Sequence, residues 1–179
     1  MRALLTCFSF AYEDEKLMEW LIEQGADFNA VSDLDEPVLS VAIAAGSIGI
    51  PRLLLARGPG ITHGNLLHCA AERKDQHEGA ELARFFLQKG ADVHAHRCNN
   101  PIARRQRAMS RLATPLHEAC YAQNIRVARV LLEHGADPLG MMMREGRLAP
   151  PTALDSAFAT NNGEMVELLL SSCTYGTRL

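Results

Sequence analysis

The chain has 179 residues, 47% of them apolar and 22% charged, which is the composition of one globular domain and excludes a disordered segment. Its 18 basic and 21 acidic side chains sum to a formal charge of -3, so there is no overall attraction to nucleic acid or to an anionic membrane. The five cysteines include no CxxC pair, and their odd number argues against a disulfide framework. We therefore expect an intracellular protein, cytoplasmic or nuclear, with no membrane partner.

The N-terminal segment has two possible interpretations. Met1-Arg2 followed by an apolar stretch resembles a short secretory signal, with Ser9-Phe10-Ala11 as its cleavage site. Alternatively, residues 1–11 begin the first buried helix of the domain. We favour the helix, because the repeating pattern described next begins inside this stretch and continues beyond it.

Five segments along the chain share one helical pattern. Each carries leucine and other apolar residues at helical spacing, and four of the five end at a glycine. Glycine after such a stripe is typical of a helix end, because it adopts the left-handed backbone conformation at little cost. We therefore predict two short helices in each of the segments 4–25, 37–58, 65–90, 114–135 and 152–173, with helix ends at Gly25, Gly58, Gly90 and Gly135.

The fourth segment carries the most specific motif. Thr114-Pro115-Leu116-His117-Glu118-Ala119 matches the pattern TPLHxA, which resembles the ankyrin repeat family. The distance from Leu4 to Pro37 is 33 residues, which equals the period of that family. The resemblance extends from residue 4 to about residue 173. The first two segments depart from it, with Leu4-Leu5-Thr6-Cys7 and Pro37-Val38-Leu39-Ser40 where TPLH is expected.

This resemblance implies an all-α ankyrin-repeat solenoid of stacked helix–turn–helix units with β-turn fingers. Thr114 and Thr152 suit helix N-caps, and Pro115 suits the first helical position. One helix pair cannot bury its apolar face alone, so the units must stack. We expect a single domain over residues 1–179, and we number its units 1 to 5, with approximate ranges 4–36, 37–64, 65–113, 114–151 and 152–179.

The resemblance also implies where a partner binds. In this family the side chain after TPLH, and those three and four positions further on, tend to face the concave surface. The histidine of the motif makes structural hydrogen bonds between units, and this role falls to His68 and His117. The candidate partner-binding residues of the concave face are Phe8, Tyr12, Val41, Glu72, Arg73, Glu118 and Tyr121.

Insertions interrupt the period in three places. Unit 3 has four extra residues between its helices, near Lys74, and the unit after Gly90 begins twelve residues late, at Thr114. The resulting finger, residues 97–113, contains arginines and no acid, and we add Arg104, Arg105 and Arg107 to the candidate partner-binding residues. The finger is either a mobile solvated loop or a contact for an acidic patch on the partner. The third insertion delays unit 5 by five residues, to Thr152, and its loop holds Met141-Met142-Met143, which either packs on the solenoid or contacts a partner.

Motifs of catalysis and metal binding are weak in this sequence. It contains no GxGxxG, no GxSxG and no phosphate-binding loop. His94, His96 and Cys98 are the nearest approach to a metal cluster, but zinc requires four ligands and no second pair lies nearby in sequence. Cys69 and Cys120 fit small core thiols. We therefore expect no catalytic residues, no metal and no cofactor.

The sequence thus predicts a non-enzymatic module that binds a protein partner, as part of a scaffold or adaptor assembly. The first alternative is an enzyme or small-ligand binder that uses a pocket on the same scaffold. The second is a nucleic-acid binder that uses the arginine-rich finger, although this finger lacks aromatic residues for base stacking. A further alternative is a fragment of a larger repeat protein, because unit 1 carries Phe8, Phe10 and Trp20 where a polar cap is expected.

Overall fold

In the computed structural model of the chain, which describes residues 14–26, 38–56, 65–97 and 112–175, the helices of units 2 to 5 occur in pairs. Unit 1 contributes α1 (Glu15–Glu23), unit 2 contributes α2 (Val38–Ala45) and α3 (Gly49–Ala56), and unit 3 contributes α4 (Leu66–Glu72) and α5 (Gln76–Gln88). Units 4 and 5 contribute α6 (Pro115–Tyr121), α7 (Ile125–Glu133), β1 (Met141–Arg144), β2 (Arg147–Thr152), α8 (Ala153–Ala159) and α9 (Gly163–Tyr175).

These helices stack in two rows. The first helices of units 2 to 5, which are α2, α4, α6 and α8, each pack against the next in the row. In the second row, α5 packs against α7 and α7 packs against α9, and α1 likewise packs against α3. One continuous apolar core runs between the rows and includes Ile43, Phe86, Leu131 and Leu169, all fully buried. The predicted all-α solenoid is confirmed.

The helix ends follow the sequence signals. Gly25, Gly90 and Gly135 have φ values of +79°, +89° and +85°, so each ends a helix in the left-handed conformation as predicted. Thr114 is the N-cap of α6, with Pro115 at the start of that helix. The Thr152 hydroxyl accepts a hydrogen bond of 3.1 Å from the Asp155 N–H, which completes the predicted cap of α8. Gly58 lies outside the described residues.

The four extra residues of unit 3 lengthen a helix instead of forming a loop between helices. Helix α5 has 13 residues, whereas α3 has 8 and α7 has 9. Asp75 caps it by accepting the His77 and Glu78 N–H groups at 2.9 and 3.0 Å, and the bond from Glu78 holds the pKa of Asp75 below its usual value. A Cβ at Gly79 would lie 2.6 Å from the Ala70 carbonyl oxygen, so α5 packs closely on α4 only because this residue is glycine.

The finger between units 4 and 5 is a β-hairpin. Strands β1 and β2 pair antiparallel with Met143 opposite Leu148, and the turn residues Glu145 and Gly146 both have positive φ. Leu112 bridges to Met143 on the other side of β1, and its side chain is buried. The expectation of a loop at residues 141–143 is therefore wrong, because backbone pairing on both sides makes this segment a strand. Across the four described ranges, no helix is long and apolar enough to cross a membrane.

Candidate interaction surface

Two buried histidines contact the backbone at the boundary with the next unit. The Nε2 atom of His68 lies 3.0 Å from the Ala113 carbonyl oxygen, and that of His117 lies 3.2 Å from the Pro151 carbonyl oxygen. These carbonyls immediately precede Thr114 and Thr152, where the next unit begins. Burial lowers the pKa of His68 to about 3 and also lowers the pKa of His117, so both rings are neutral and can donate from Nε2. The predicted structural role of both histidines is confirmed.

The base of the long finger is fixed at Arg97. Its backbone N–H donates to the Ala113 carbonyl at 2.9 Å, the same carbonyl that His68 contacts. Its guanidinium pairs with two carboxylates, reaching Glu118 at 2.9 Å from Nη1 and Glu72 at 3.2 Å from Nη2. With Leu112 also buried, both ends of the finger are packed. Residues 98–111 lie outside the described residues, so a mobile loop and a partner contact both stay predictions for the rest of the finger.

One guanidinium and two carboxylates leave this cluster with a formal charge of -1. Burial raises the pKa of Glu118, while the charge of Arg97 opposes that rise. Burial alone would lower the pKa of Arg97, but the hydrogen bond and charge of Glu72 outweigh it and the net shift is upward. The guanidinium is therefore firmly charged, and the centre of the surface retains one carboxylate charge in excess.

Two exposed apolar side chains lie on the same row of first helices as this cluster. Val41 on α2 is 40% exposed, and Tyr121 on α6 is 46% exposed. The Tyr121 hydroxyl lies 3.2 Å from the buried Ser156 hydroxyl of unit 5, which restrains the ring. We call the set Val41, Glu72, Arg97, Glu118 and Tyr121 the first-helix face. It combines a charged centre with apolar residues to either side, a composition suited to protein recognition.

Comparison with known proteins supports the architecture. Residues 63–97 match a family model described as ankyrin repeat, and residues 116–170 match one described as ankyrin repeats in many copies. The chain belongs to the ankyrin repeat family. The human protein transient receptor potential cation channel subfamily A member 1 is 34% identical over 104 residues, which cover 58% of this chain and 8% of that protein. Ankyrin repeats are generally protein-interaction modules.

Arg73 has a structural role in the ankyrin stack. We expected it on the open surface, but it is only 6% exposed. Its Nη1 donates to the Ile43 carbonyl at 2.6 Å and its Nη2 to the Gly46 carbonyl at 2.8 Å, while Glu78 pairs with it at 2.6 Å. The placement on the open surface was wrong, because the last carbonyls of α2 need donors and Arg73 supplies them. The sequence feature that could have indicated this role is Glu78, an acid five residues after Arg73 on the turn added to α5.

Of the other nine candidate partner-binding residues, four lie on the first-helix face and five lie outside the described residues. Val41, Glu72, Glu118 and Tyr121 lie on the first-helix face of the ankyrin stack, as described above. Arg97 joins them there although it was not among the candidates, and its signal was its position at the base of the insertion. The remaining candidates lie outside the described residues: Phe8, Tyr12, Arg104, Arg105 and Arg107.

Cysteines and histidines of the ankyrin units serve the stack. The Cys120 side chain is fully buried, and burial raises the pKa of its thiol to about 12, so it is not a nucleophile at neutral pH. The Nε2 atom of His96 lies 3.1 Å from the Met141 carbonyl oxygen, which connects two fingers. Among the residues that the structure describes, no three metal-ligating side chains converge, and Cys98 lies outside this set.

A shallow groove lies on the row of second helices, away from the first-helix face. It has a volume of about 260 Å³ and is lined by Arg52, Leu55, Ala56, Glu81, Leu82 and Phe85. Its polar side chains, Arg52 and Glu81, pair with each other at 2.7 Å and are both half-exposed. A ligand pocket normally encloses its ligand and presents several convergent polar groups. This groove does neither, so it gives no support to catalysis.

Proposed function

We propose that the chain is a non-enzymatic binding module that holds a protein partner along the first-helix face. The observation that carries this proposal is the Arg97 cluster with exposed Val41 and Tyr121 beside it. Hydrogen bonds to neighbouring side chains restrain both Arg97 and Tyr121, so little side-chain entropy is lost when a partner binds. Tyrosine and arginine are also the residue types enriched at the energetic centres of interfaces.

The charge of this face determines which contacts it makes. Since the cluster has one carboxylate in excess, the partner places a hydrogen-bond donor or a cation beside Glu72, the more exposed of the two acids, at 34% against 14% for Glu118. Apolar groups of the partner cover Val41 and Tyr121. Arg104, Arg105 and Arg107 of the finger then meet an acidic patch further along the partner, where charge sets specificity and association rate.

Unit 1 and the location of the protein complete the proposal. Phe8 and Tyr12 continue the apolar part of the surface towards unit 1, as the repeat register predicts. An odd number of cysteines favours a reducing compartment, so we place the module inside the cell, in the cytoplasm or nucleus.

The proposal is tested by affinity capture from cell extract with quantitative mass spectrometry. The test variant combines Tyr121→Ser with Glu72→Lys, and both side chains are exposed enough to be changed without opening the core. The matched control is Leu148→Ser with Glu145→Lys on the β-hairpin, which removes a similar apolar area and one acid. Specific partners should be lost only with the test variant.

Two further measurements make the outcome decisive. Circular dichroism and thermal melting must show that both variants remain folded. A captured set of proteins that is the same for wild type, test variant and control would contradict the proposal, as would loss of that set in the hairpin control alone.

A further inference from the structure

The junction between α5 and α7 brings two arginines together where the preceding junction in the same row has an ion pair. Counted back from the glycine that closes each unit, Arg84 stands at the position of Arg52. Arg126 likewise stands at the position of Glu81. Arg52 pairs with Glu81 across the junction between α3 and α5 at 2.7 Å. Because stacked units repeat the same contacts, Arg84 and Arg126 face each other across the junction between α5 and α7.

The arginines of this surface have no acid to pair with. Arg84, Arg126 and Arg129 are all exposed, and none of them forms an ion pair with a residue that the structure describes. Both carboxylates of α5 are occupied in other ion pairs. Glu133 and Glu164 lie near Arg129 by sequence and by register, but neither forms an ion pair with it. We call Arg84, Arg126 and Arg129 the arginine ridge, and its positive charges are not neutralised by the described residues.

Two guanidinium groups that face each other favour an anion between them. Each presents a planar fork of N–H donors that matches the oxygens of a carboxylate or a phosphate. Salt screens the repulsion between the two cations only in part, because the screening length is about 8 Å at physiological ionic strength. An anion that bridges Arg84 and Arg126 therefore removes this repulsion and gains charge-assisted hydrogen bonds from two helices.

The shallow groove on the second helices adds an apolar subsite beside the arginine ridge. It lies at the junction between α3 and α5, and Leu55, Leu82 and Phe85 are among its lining residues. The ridge begins one junction further along the row, and packed helices are about 10 Å apart. An extended chain advances about 3.3 Å per residue. A segment that crosses the row can therefore place an apolar side chain in the groove and an acid at the ridge about three residues apart.

The apolar groove determines which kind of anion fits the whole site. A nucleic acid would bring phosphates to the arginine ridge but no apolar side chain to the groove. Attraction to an anionic membrane typically uses about 4–8 basic residues, more than the three of the ridge. A protein segment offers a carboxylate and an apolar side chain together, so the two features favour a protein.

We propose that the arginine ridge and the groove form a second docking site, which binds an extended acidic segment of a partner protein. An aspartate or glutamate of that segment bridges Arg84 and Arg126, and an apolar side chain about three residues away fills the groove. The site lies on the row of second helices and is independent of the first-helix face. Its failure would leave the function proposed above untouched.

The test selects random peptides of about 12 residues, displayed on phage, for binding to the full chain, and subtracts those that also bind the Arg126→Glu variant. The retained peptides should carry an acid with an apolar residue about three positions away. One of them is synthesised with a fluorescent label, and its affinity is measured by fluorescence anisotropy at physiological salt. Changing its acid to the amide, or its apolar residue to serine, should weaken binding at least tenfold.

Arg126→Glu separates binding from stability. It gives Arg84 a carboxylate partner like that of Arg52, so the midpoint of urea unfolding should stay equal or rise, while the affinity for the peptide should fall at least tenfold. The matched control is Arg147→Glu, the same charge change on exposed β2, which should leave the affinity within twofold.

Three outcomes would overturn the proposal. The first is a selection that yields no peptide dependent on Arg126. The second is an equal loss of affinity in Arg126→Glu and Arg147→Glu, which would mean non-specific attraction. The third is tighter binding of single-stranded DNA or of anionic lipid vesicles than of the peptide, lost in Arg126→Glu, because a phosphate-bearing surface would then be the occupant.

Discussion

Two junctions between units differ in which unit supplies the hydrogen-bond donors. The junction between units 3 and 4 has donors from both units, whereas the junction between units 2 and 3 has its donor from unit 3. At the first, His68 reaches forward to Ala113, and the Asn124 side chain reaches back to the carbonyls of Ala71 and Arg73 at 3.2 and 3.3 Å. At the second, unit 2 has the short Ser40 at the histidine position, and Arg73 reaches back to Ile43 and Gly46. At both junctions the backbone carbonyls are therefore the fixed requirement, while the residue that supplies the donor varies.

The largest expected effect is on the core that both junctions share. Leu131 is completely buried, so Leu131→Ala should lower the free energy of unfolding by about 2–5 kcal/mol. Leu170→Ala removes the same atoms from a side chain that is 45% exposed in unit 5, and should cost less than about 1 kcal/mol. Urea unfolding followed by circular dichroism measures both. Equal losses of unfolding free energy in the two variants would contradict the difference in burial between Leu131 and Leu170.

The next-largest expected loss of stability is at the junction between units 2 and 3. Arg73→Met keeps an unbranched apolar side chain but removes four hydrogen bonds, two to the carbonyls of Ile43 and Gly46 and two to the carboxylate of Glu78. It should destabilise the protein by about 2–3 kcal/mol, since bonds to charged groups are strong and two carbonyls lose their donor. Arg52→Met is the control, because its exposed pair with Glu81 should contribute less than about 1 kcal/mol. A junction that does not depend on Arg73 would give similar values for the two variants in the same unfolding assay.

A pH dependence distinguishes the junction between units 3 and 4. The folded pKa of His68 is lowered to about 3 from 6.5, so its contribution to stability is complete above pH 6.5 and is lost as the pH falls towards 3. At pH 5 the loss should be about 2 kcal/mol. His68→Gln keeps a donor near Nε2 but cannot titrate, so unfolding free energies at pH 7.5 and 5 should differ less in this variant. The exposed His77→Gln should retain the wild-type difference.

The smallest effect concerns the charged centre of the first-helix face. Burial raises the folded pKa of Glu118 above 4.5, so its favourable contribution exists below that pH and is lost as the pH rises through the folded value. Glu118→Gln should therefore leave stability at pH 7 within about 0.5 kcal/mol of wild type, despite the contact with Arg97. A clear destabilisation at pH 7, measured by the same unfolding assay, would mean that the ion pair outweighs the cost of burial.

Local signals in the sequence predicted most of the fold. The TPLH histidines, the glycines at helix ends and the caps at Thr114 and Thr152 each act within a few residues, so their roles could be inferred without a structure. Arg73 could not be placed in this way, because its burial depends on carbonyls of the preceding unit and on an added helical turn that places Glu78 beside it.

The candidate surface was harder to predict than the fold. The repeat register placed Glu72, Glu118 and Tyr121 correctly on the first helices, but it gave no information about the insertion that brings Arg97 between the two acids. The strand at residues 141–144 was also missed, although its pairing with β2 is local and only its other edge depends on a distant residue. Its pairing with Leu112 joins residues far apart in sequence, and no periodic pattern reports such a contact.

The bonds from histidine to backbone carbonyl also affect how such a chain can evolve. A side chain that binds a carbonyl requires nothing of the neighbouring residue's type, since every residue carries one. Each unit can therefore change its own sequence without a matching change in the next, and the stack survives divergence as large as that between Thr114-Pro115-Leu116-His117 and Pro37-Val38-Leu39-Ser40. By the same logic, duplication of unit 4 would create a junction that its own His117 satisfies, whereas loss of unit 3 would leave the carbonyls of Ile43 and Gly46 without Arg73.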